Sequence, residues 1–183
     1  PQRGIIAHFR ALADTVDMPI VVYNVPGRTG SNVTAETTLE LAEHPNIVAV
    51  KEASGNLGQI SQILRHRPHN FSVLSGDDGL TLAVMAAGGD GVTSVTSNAT
   101  PALVAQLCAA ARRGDYDDAR AIDSRLAPWT HAAFIESNPI PVKAGLAMMG
   151  MMAESLRLPL VPLAPLHHAL VRSALVAVGA LGA

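Results

Sequence analysis

Residues 46–68 have the sequence NIVAVKEASGNLGQISQILRHRP, in which an apolar run is followed by a turn and an amphipathic stretch. The run NIVAVKEA is rich in β-branched residues and predicts a buried strand. The stretch GNLGQISQILRHRP predicts a helix that Asn56 caps and Pro68 ends. A strand, a turn and a helix in this order are the repeating unit of parallel α/β sheets, so this segment indicates the fold class.

The same order of strand and helix occurs four times in the first half of the chain. Strands are predicted to begin near residues 20, 47, 71 and 91. This rhythm is typical of βαβ units in a parallel sheet. After residue 100 the patterns are helical only. We therefore predict a βα-repeat domain over 1–99 and a helical domain over 100–183.

The number of strands leaves two architectures open. Four parallel strands are too few for a closed barrel, which needs eight. They are compatible with a small open sheet or with half of a barrel. The chain starts without an initiator Met and almost directly on a helical pattern, and this start favours half of a barrel. The expected fold class is α/β, a partial (β/α)8 barrel followed by a helical domain.

Composition excludes several classes of function. The chain has 183 residues, of which 49% are hydrophobic and 15% charged, and a formal net charge of −2, which argues against a nucleic-acid-binding surface. The single cysteine, Cys108, excludes an internal disulfide and a Cys-rich metal site, and its apolar setting predicts a core thiol. The seven histidines are scattered, so no metal site is expected. No signal peptide and no membrane-spanning run are found, and the expected location is the cytoplasm.

Lys51 is the most informative residue of the chain. Only two lysines occur, Lys51 and Lys143, against 11 arginines, and Lys51 ends an apolar run. Burial favours the neutral amine, and a neutral amine is a nucleophile. A lysine at a strand end can also extend to solvent along its aliphatic stem, so a purely structural role stays open.

Polar residues collect where the predicted strands end. In βα-repeat folds the active site lies at the carboxyl ends of the strands. Alternation places Ala49 and Lys51 on one face of their strand, and Tyr23 near the end of the preceding strand is expected to face the same cavity. Arg28 follows in a Gly-rich loop. Taken singly, Tyr23 is compatible with a core aromatic and Arg28 with a solvated charge.

Five motifs in a fixed order resemble the dihydrodipicolinate synthase family, which includes N-acetylneuraminate lyase and other pyruvate-dependent aldolases. They are YNVPGRTG (23–30), KEASGN (51–56), LSGDD (74–78), GGDGVTSV (88–95) and NPIPVK (138–143). The resemblance covers essentially the whole chain, and the first and last motifs favour the synthase branch. The family fold is a (β/α)8 barrel with a C-terminal helical domain. By its motifs this chain resembles the C-terminal portion only, with barrel strands five to eight and the helical domain.

The resemblance implies a Schiff-base mechanism. Lys51 would attack the ketone of pyruvate, and the enamine formed from the imine would condense with aspartate 4-semialdehyde to 4-hydroxy-tetrahydrodipicolinate, on the path to diaminopimelate and lysine. Tyr23 would shuttle protons, and Arg28 would hold a substrate carboxylate. Gly76 would line the pocket with backbone groups, and Thr93 would lie near the pyruvate carbonyl. No metal or organic cofactor is implied, because the imine itself is the electron sink.

The resemblance also implies an assembly and leaves alternatives. Full-length family members are expected to be homo-oligomers, mostly tetramers. Barrel strands one to four, with the Gly-Thr-Thr-Gly-Glu loop that binds the pyruvate carboxylate, are expected to be missing from this chain. A lyase or aldolase for sugar acids or sialic acid, and a catalytically inactive remnant, therefore remain alternatives. Open edges on strands 20–25 and 91–97 predict a tendency to associate.

Overall fold

The structure, a computed structural model, describes residues 1–182. The chain divides into two compact units, Pro1–Thr93 and Ser94–Ala183. All strands of the described chain lie in the first unit, and the described part of the second unit contains helices only. The division falls between Thr93 and Ser94, slightly before the boundary predicted after residue 99.

Four parallel strands form the sheet of the first unit, in the spatial order of the sequence. They are β1 Ile20–Asn24, β2 Ile47–Glu52, β3 Ser72–Ser75 and β4 Gly91–Val92. The predicted α/β class with a parallel sheet is confirmed. β1 and β4 are the edges of this sheet, as expected.

The fourth strand is much shorter than predicted. β4 pairs with Leu74 and Ser75 over two residues only, and the N–H of Thr93 donates to the Ser75 carbonyl at 2.9 Å. Within the second unit, the N–H of Ser97 donates to Oγ of Ser94 at 2.9 Å, and a 3-10 helix follows at Thr96–Asn98. Hydroxyl side chains that bind nearby backbone compete with a strand ladder, which explains why a β-branched run did not stay extended.

The helices of the first unit follow the predicted pattern with one addition. They are α1 Gln2–Thr15, α2 Pro26–Thr29, α3 Ala35–Ala42, α4 Leu57–His66 and α5 Thr81–Ala86, with a 3-10 turn at Asp78–Leu80. Asn56 caps α4 as predicted, because its side chain accepts from the N–H of Gln59 at 3.1 Å. The short helix α2 was not predicted; it begins at Pro26 and ends at Thr29, and Gly30, whose φ is 69°, caps it.

One face of the sheet forms the core of the first unit. Val22, Val50 and Val73, from three neighbouring strands, are at most 1% exposed and pack with apolar side chains of the helices. On the other face of β1, Val21 is 49% and Tyr23 43% exposed. Because successive side chains of a strand point to opposite faces, this arrangement separates the core from the face that carries Tyr23.

Four α-helices build the described part of the second unit. They are α6 Pro101–Arg112, α7 Tyr116–Ala133, α8 Ile140–Met148 and α9 Pro165–Ala177. Trp129 is fully buried at their centre, and its indole N–H donates to the Thr96 carbonyl at 3.1 Å. A Cβ on Gly145 would lie 2.8 Å from the Trp129 ring, so the close approach of α8 to this ring requires glycine. Within residues 1–182 no helix has the length and apolar character to span a membrane.

Cys108 lies on α6 and is half-buried rather than fully enclosed. Burial raises the pKa of its thiol, and nearby Arg112 opposes that shift in part. The thiol therefore stays protonated near neutral pH, as a core cysteine does.

Candidate functional site

The register of β1 and β2 brings the two principal candidates together. Tyr23 lies opposite Lys51, and Asn24 lies opposite Glu52. Because the two strands are parallel and alternate in phase, Tyr23 and Lys51 share one face of the sheet, and Asn24 and Glu52 share the other. The predicted proximity of Tyr23 and Lys51 is therefore found in the fold.

The amine of Lys51 lies over the aromatic ring of Tyr23. Its Nζ is 4.1 Å from the ring centroid, within the range of a cation–π contact. Lys51 is half-buried, less enclosed than the apolar run predicted, and Tyr23 beside it on the same face is 43% exposed. The arrangement places an amine next to a phenol ring on an accessible face. These are the group types that carbinolamine formation needs, a nucleophile and a proton carrier.

A buried polar network lies directly behind this pair. Nδ2 of Asn24 donates to both oxygens of the Glu52 carboxylate, at 3.2 and 3.0 Å. The N–H of Ser54 donates to Oε1 at 2.7 Å, and Nε2 of Gln59 donates to Oε2 at 2.9 Å. Asn24 and Glu52 are each only 1% exposed. The carboxylate is thus satisfied by hydrogen bonds although it lies in the interior of the unit.

The same network anchors the loop that follows β1. Oδ1 of Asn24 accepts from the N–H of Val33 at 2.9 Å, and Nδ2 of Asn32 donates to Oε1 of Gln59 at 2.8 Å. The loop therefore leaves from Asn24 and returns to it eight to nine residues later. The sequence pattern predicted only that polar residues collect where the strands end, and it did not reveal this network. The alternation of side chains along the strand could have indicated the burial of Glu52, because Glu52 follows Val48 and Val50 at the two-residue spacing of one strand face.

Arg28 lies in α2, within the anchored loop, and is exposed. Within residues 1–182 its side chain makes no hydrogen bond or ion pair. A free guanidinium in the loop after Tyr23 has the chemistry to bind a carboxylate. The structure describes no contact between Arg28 and either Tyr23 or Lys51.

Gly76 follows β3 and packs against the end of β2. A Cβ at this position would lie 2.6 Å from Cβ of Ala53 and 3.1 Å from the carbonyl oxygen of Glu52. The N–H of Gly76 donates to that carbonyl at 2.7 Å. Glycine is therefore required by close backbone approach, two residues from Lys51.

Thr93 follows β4, is exposed, and extends the pairing with β3 through its N–H.

Tyr23 also borders an apolar cavity of about 350 Å³ between α1 and the loop after β1. Ile5 and Phe9 of α1 are among the residues that line this cavity. Lys51 does not line that cavity. The described residues contain no group of three or more His, Cys, Asp or Glu side chains arranged to hold a metal ion.

Comparisons with known proteins agree with each other. The model of the Dihydrodipicolinate synthetase family matches residues 1–178. A 4-hydroxy-tetrahydrodipicolinate synthase from Chlorobium limicola is 53% identical over 179 residues, which are 97% of this chain and 60% of that protein. The chain thus spans about 60% of the length of such relatives.

Solved structures match the fold closely. The dihydrodipicolinate synthase of Thermotoga maritima superposes with a TM-score of 0.97 at 41% identity, covering 99% of this chain and 63% of that one. A chloride-inhibited dihydrodipicolinate synthase from Acinetobacter baumannii, solved in complex with pyruvate, gives 0.96 at 38% identity, covering 99% and 62%. The coarse prediction, an α/β fold that forms part of a TIM barrel, is confirmed.

The numbering of the strands as five to eight, the C-terminal position of the chain and the assignment of the helical domain stay predictions. The family assignment rests on matches over nearly the whole chain, by sequence and by structure. This chain belongs to the dihydrodipicolinate synthetase family.

Proposed function

We propose that this chain supplies the Schiff-base lysine of a 4-hydroxy-tetrahydrodipicolinate synthase, which condenses pyruvate with aspartate 4-semialdehyde. The observation that carries the proposal is the contact of Lys51 Nζ with the Tyr23 ring at 4.1 Å, on the accessible face of the sheet. Relatives about 50% identical have this enzyme's name, and one similar structure holds pyruvate. Since the chain covers about 60% of such relatives, the activity of the whole protein is part of the proposal.

The chemistry begins with attack of the neutral Lys51 amine on the ketone carbon of pyruvate. The carbinolamine loses water to give an imine, which draws electrons from the adjacent methyl group, so a methyl proton leaves and an enamine forms. The enamine carbon then attacks the aldehyde of the second substrate. Tyr23 delivers a proton to the departing hydroxyl and accepts one on the return path.

The remaining candidates have supporting roles in this proposal. Arg28 binds a substrate carboxylate, because its guanidinium is exposed and has no partner within residues 1–182. Gly76 allows backbone to approach the end of β2 beside Lys51. Thr93 lies at the end of the short β4 and contributes backbone near the pyruvate carbonyl. No metal or organic cofactor takes part, because the imine withdraws the electrons.

The active enzyme is larger than this sheet. In the proposal, the four strands are strands five to eight of an eight-stranded barrel, and helices α6 to α9 form the helical domain of the family. The complete protein forms a homo-oligomer, a tetramer by analogy with the family. We place it in the cytoplasm, where a single cysteine and the absence of any internal disulfide are ordinary.

Exchange of the pyruvate methyl protons tests the proposal. In D₂O, reversible enamine formation replaces these protons with deuterium, and proton NMR follows the loss of the methyl signal. Catalysed exchange is expected for the wild-type chain and for Lys143→Arg, and no catalysed exchange for Lys51→Arg, which keeps a cation but not the nucleophile. Equal exchange by the wild type and Lys51→Arg would contradict the proposal.

A further inference from the structure

β1 and β2 do not pair regularly along their whole length. Ile20 lies opposite Ile47, but the next pair is Val21 opposite Ala49, so Val48 is an extra residue in β2. A bulge of this kind changes the register, and a register shift of one residue moves each side chain to the opposite face. The start of the strand pair therefore does not determine which residue faces Tyr23.

The register is fixed at the other end of the strand pair. Asn24 and Glu52 lie opposite each other, one residue beyond Tyr23 and Lys51. Their side chains join on the covered face through two hydrogen bonds of 3.2 and 3.0 Å. The N–H of Ala53 donates to the Asn24 carbonyl at 2.8 Å and continues the backbone pairing past this point.

Glu52 is an unusual residue for this position. It is 1% exposed, and no Lys or Arg side chain among residues 1–182 forms an ion pair with it. Its donors are two amide groups, from Asn24 and Gln59, and the N–H of Ser54. A buried charge is costly even when it is hydrogen-bonded, and apolar side chains of similar volume are often no less stable. Stability alone therefore does not explain Glu52.

A carboxylate has a property that an amide lacks. Both of its oxygens only accept hydrogen bonds, so it can bind donors from several directions at once. Here the donors come from β1, from the turn after Lys51 and from α4. Glu52 thus ties three segments to the residue that directly follows Lys51.

We propose that Glu52 is a positioning residue for Lys51. It holds β1 and β2 in the register that keeps the amine over the Tyr23 ring, and it fixes the turn after the lysine through Ser54. Through Asn24, which also binds Val33, the same clamp anchors the loop that carries Arg28. The inference rests on the proposed function only in taking Lys51 as the reactive group.

The variant Glu52→Gln tests this role with little change of shape. An NH₂ group replaces one oxygen, so at least one of the donors from Asn24, Ser54 and Gln59 must face another donor. Glu36→Gln is the matched control. Glu36 on α3 also accepts from a glutamine of α4, Gln62, at 2.8 Å, but it is exposed and lies outside the network.

The chain contains its own internal standard, because Lys143 is the only other lysine. Each variant is incubated with pyruvate, reduced with borohydride, digested and mapped by mass spectrometry, at a temperature where circular dichroism shows it folded. The ratio of adduct on Lys51 to adduct on Lys143 is expected to fall about tenfold or more in Glu52→Gln, since small misplacements of reacting groups slow reactions strongly. Glu36→Gln is expected to keep the wild-type ratio.

A purely structural role makes a different prediction. It would lower the melting temperature of Glu52→Gln and leave the adduct ratio of the folded protein unchanged, and that result would overturn the inference. If Glu52→Gln does not fold, Gln59→Met removes one donor and leaves the carboxylate. An adduct ratio below that of the wild type supports the inference, and an unchanged ratio refutes it.

The test also separates this inference from the proposed function. If the wild type forms no pyruvate adduct on Lys51, the proposed function fails for this chain. Acetylation with acetic anhydride then measures how accessible the Lys51 amine is, without requiring the reaction with pyruvate. The Lys51 to Lys143 acetylation ratio is expected to rise in Glu52→Gln, because the amine leaves the Tyr23 ring for solvent. The same ratio in both proteins would reject the positioning role.

Discussion

At the scale of the residue, the amine of Lys51 and the ring of Tyr23 are already in contact, with Nζ 4.1 Å from the ring centroid. The contact comes from adjacent strands and needs no rearrangement of the backbone. Lys51 is half-buried, so access to it depends on the open face of β1 rather than on a closed core. The proposed reactivity of this pair therefore depends on the position of the Lys51 amine relative to Tyr23. Substitutions should act either by moving the amine or by removing the proton that Tyr23 transfers.

Replacing Tyr23 by Phe separates these two effects. The ring under Lys51 remains, so the amine keeps its position, but the phenolic proton is lost. We expect the rate of pyruvate methyl exchange to fall by about 10²-fold, the usual contribution of a general acid–base group. The final amount of borohydride-trapped adduct should stay near the wild-type amount. If exchange in Tyr23→Phe equals that of the wild type, Tyr23 carries no proton in this reaction.

Asp123 provides a prediction on pH and stability. Burial in α7 raises the pKa of its carboxyl above the ordinary value for aspartate. As pH rises, the carboxyl loses its proton in the unfolded chain before it does so in the folded chain. It therefore begins to destabilise the fold above its ordinary pKa of about 3.9. The destabilisation is complete once the pH exceeds the raised pKa of the folded state. Asp123 is only partly buried, so solvent screens much of this effect. Asp123→Asn should therefore stabilise the protein slightly at neutral pH, by no more than about 0.5 kcal/mol, and have no effect at low pH.

Thermal melts at pH 7 and near pH 3 measure the difference. Asp17→Asn is the control, because Asp17 is an exposed carboxyl in the turn after α1. It should change the melting temperature little at either pH. A melting temperature that is lower for Asp123→Asn than for the wild type at pH 7 would contradict the argument from burial.

At the scale of the element, the ends of β2 and β3 meet at Gly76. A Cβ there would overlap Cβ of Ala53 at 2.6 Å and press on the Glu52 carbonyl at 3.1 Å. Gly76→Ala should therefore destabilise the fold by about 1–3 kcal/mol, as overpacking does, and it should displace the strand end that carries Lys51. Urea unfolding measures the loss.

Gly27→Ala is the matched control for that substitution. Gly27 lies in α2, and a Cβ there would meet no atom within 4 Å. Alanine also favours helix over glycine, so the control should be neutral or slightly stabilising. If Gly76→Ala and Gly27→Ala have equal free energies of unfolding, the end of β2 accommodates the added Cβ without loss of stability, and the prediction of overpacking is wrong.

The elements also differ in how far the sequence predicts them. β2 and α4 were predicted closely, because local signals agree: a β-branched run, a cap at Asn56 and a proline after the helix. β4 was overestimated, because Ser94 and Ser97 bind local backbone and end the extended run. The short helix α2 has no hydrophobic period to reveal it.

The residues of the candidate site also differ in how far the sequence predicts their positions and contacts. Tyr23 and Lys51 were predictable as neighbours, because strand parity and the ends of parallel strands follow from the pattern alone. The bulge at Val48 and the network around Glu52 were not, since both depend on contacts between segments far apart in sequence. Gly76 was predicted to line a pocket. Its steric need for glycine emerged only from the packing of Ala53.

At the scale of the whole molecule, the chain carries a sheet unit and a helical unit and spans about 60% of the length of relatives such as the Chlorobium limicola enzyme. The groups proposed for Schiff-base formation all lie in the sheet unit, at 23–93. The pair of Lys51 and Tyr23 and the network behind it are both present there. We therefore expect the imine-forming step, the first of the proposed reaction, to be measurable on this chain.

Trapping of that imine is the most direct test of the central claim. The wild-type chain is incubated with pyruvate, reduced with borohydride and digested, and mass spectrometry locates the added mass. The prediction is a pyruvate-derived adduct on Lys51 in large excess over any adduct on Lys143. An adduct on Lys143 instead of Lys51, or no adduct on a folded sample, would contradict the assignment of Lys51 as the nucleophile of this chain.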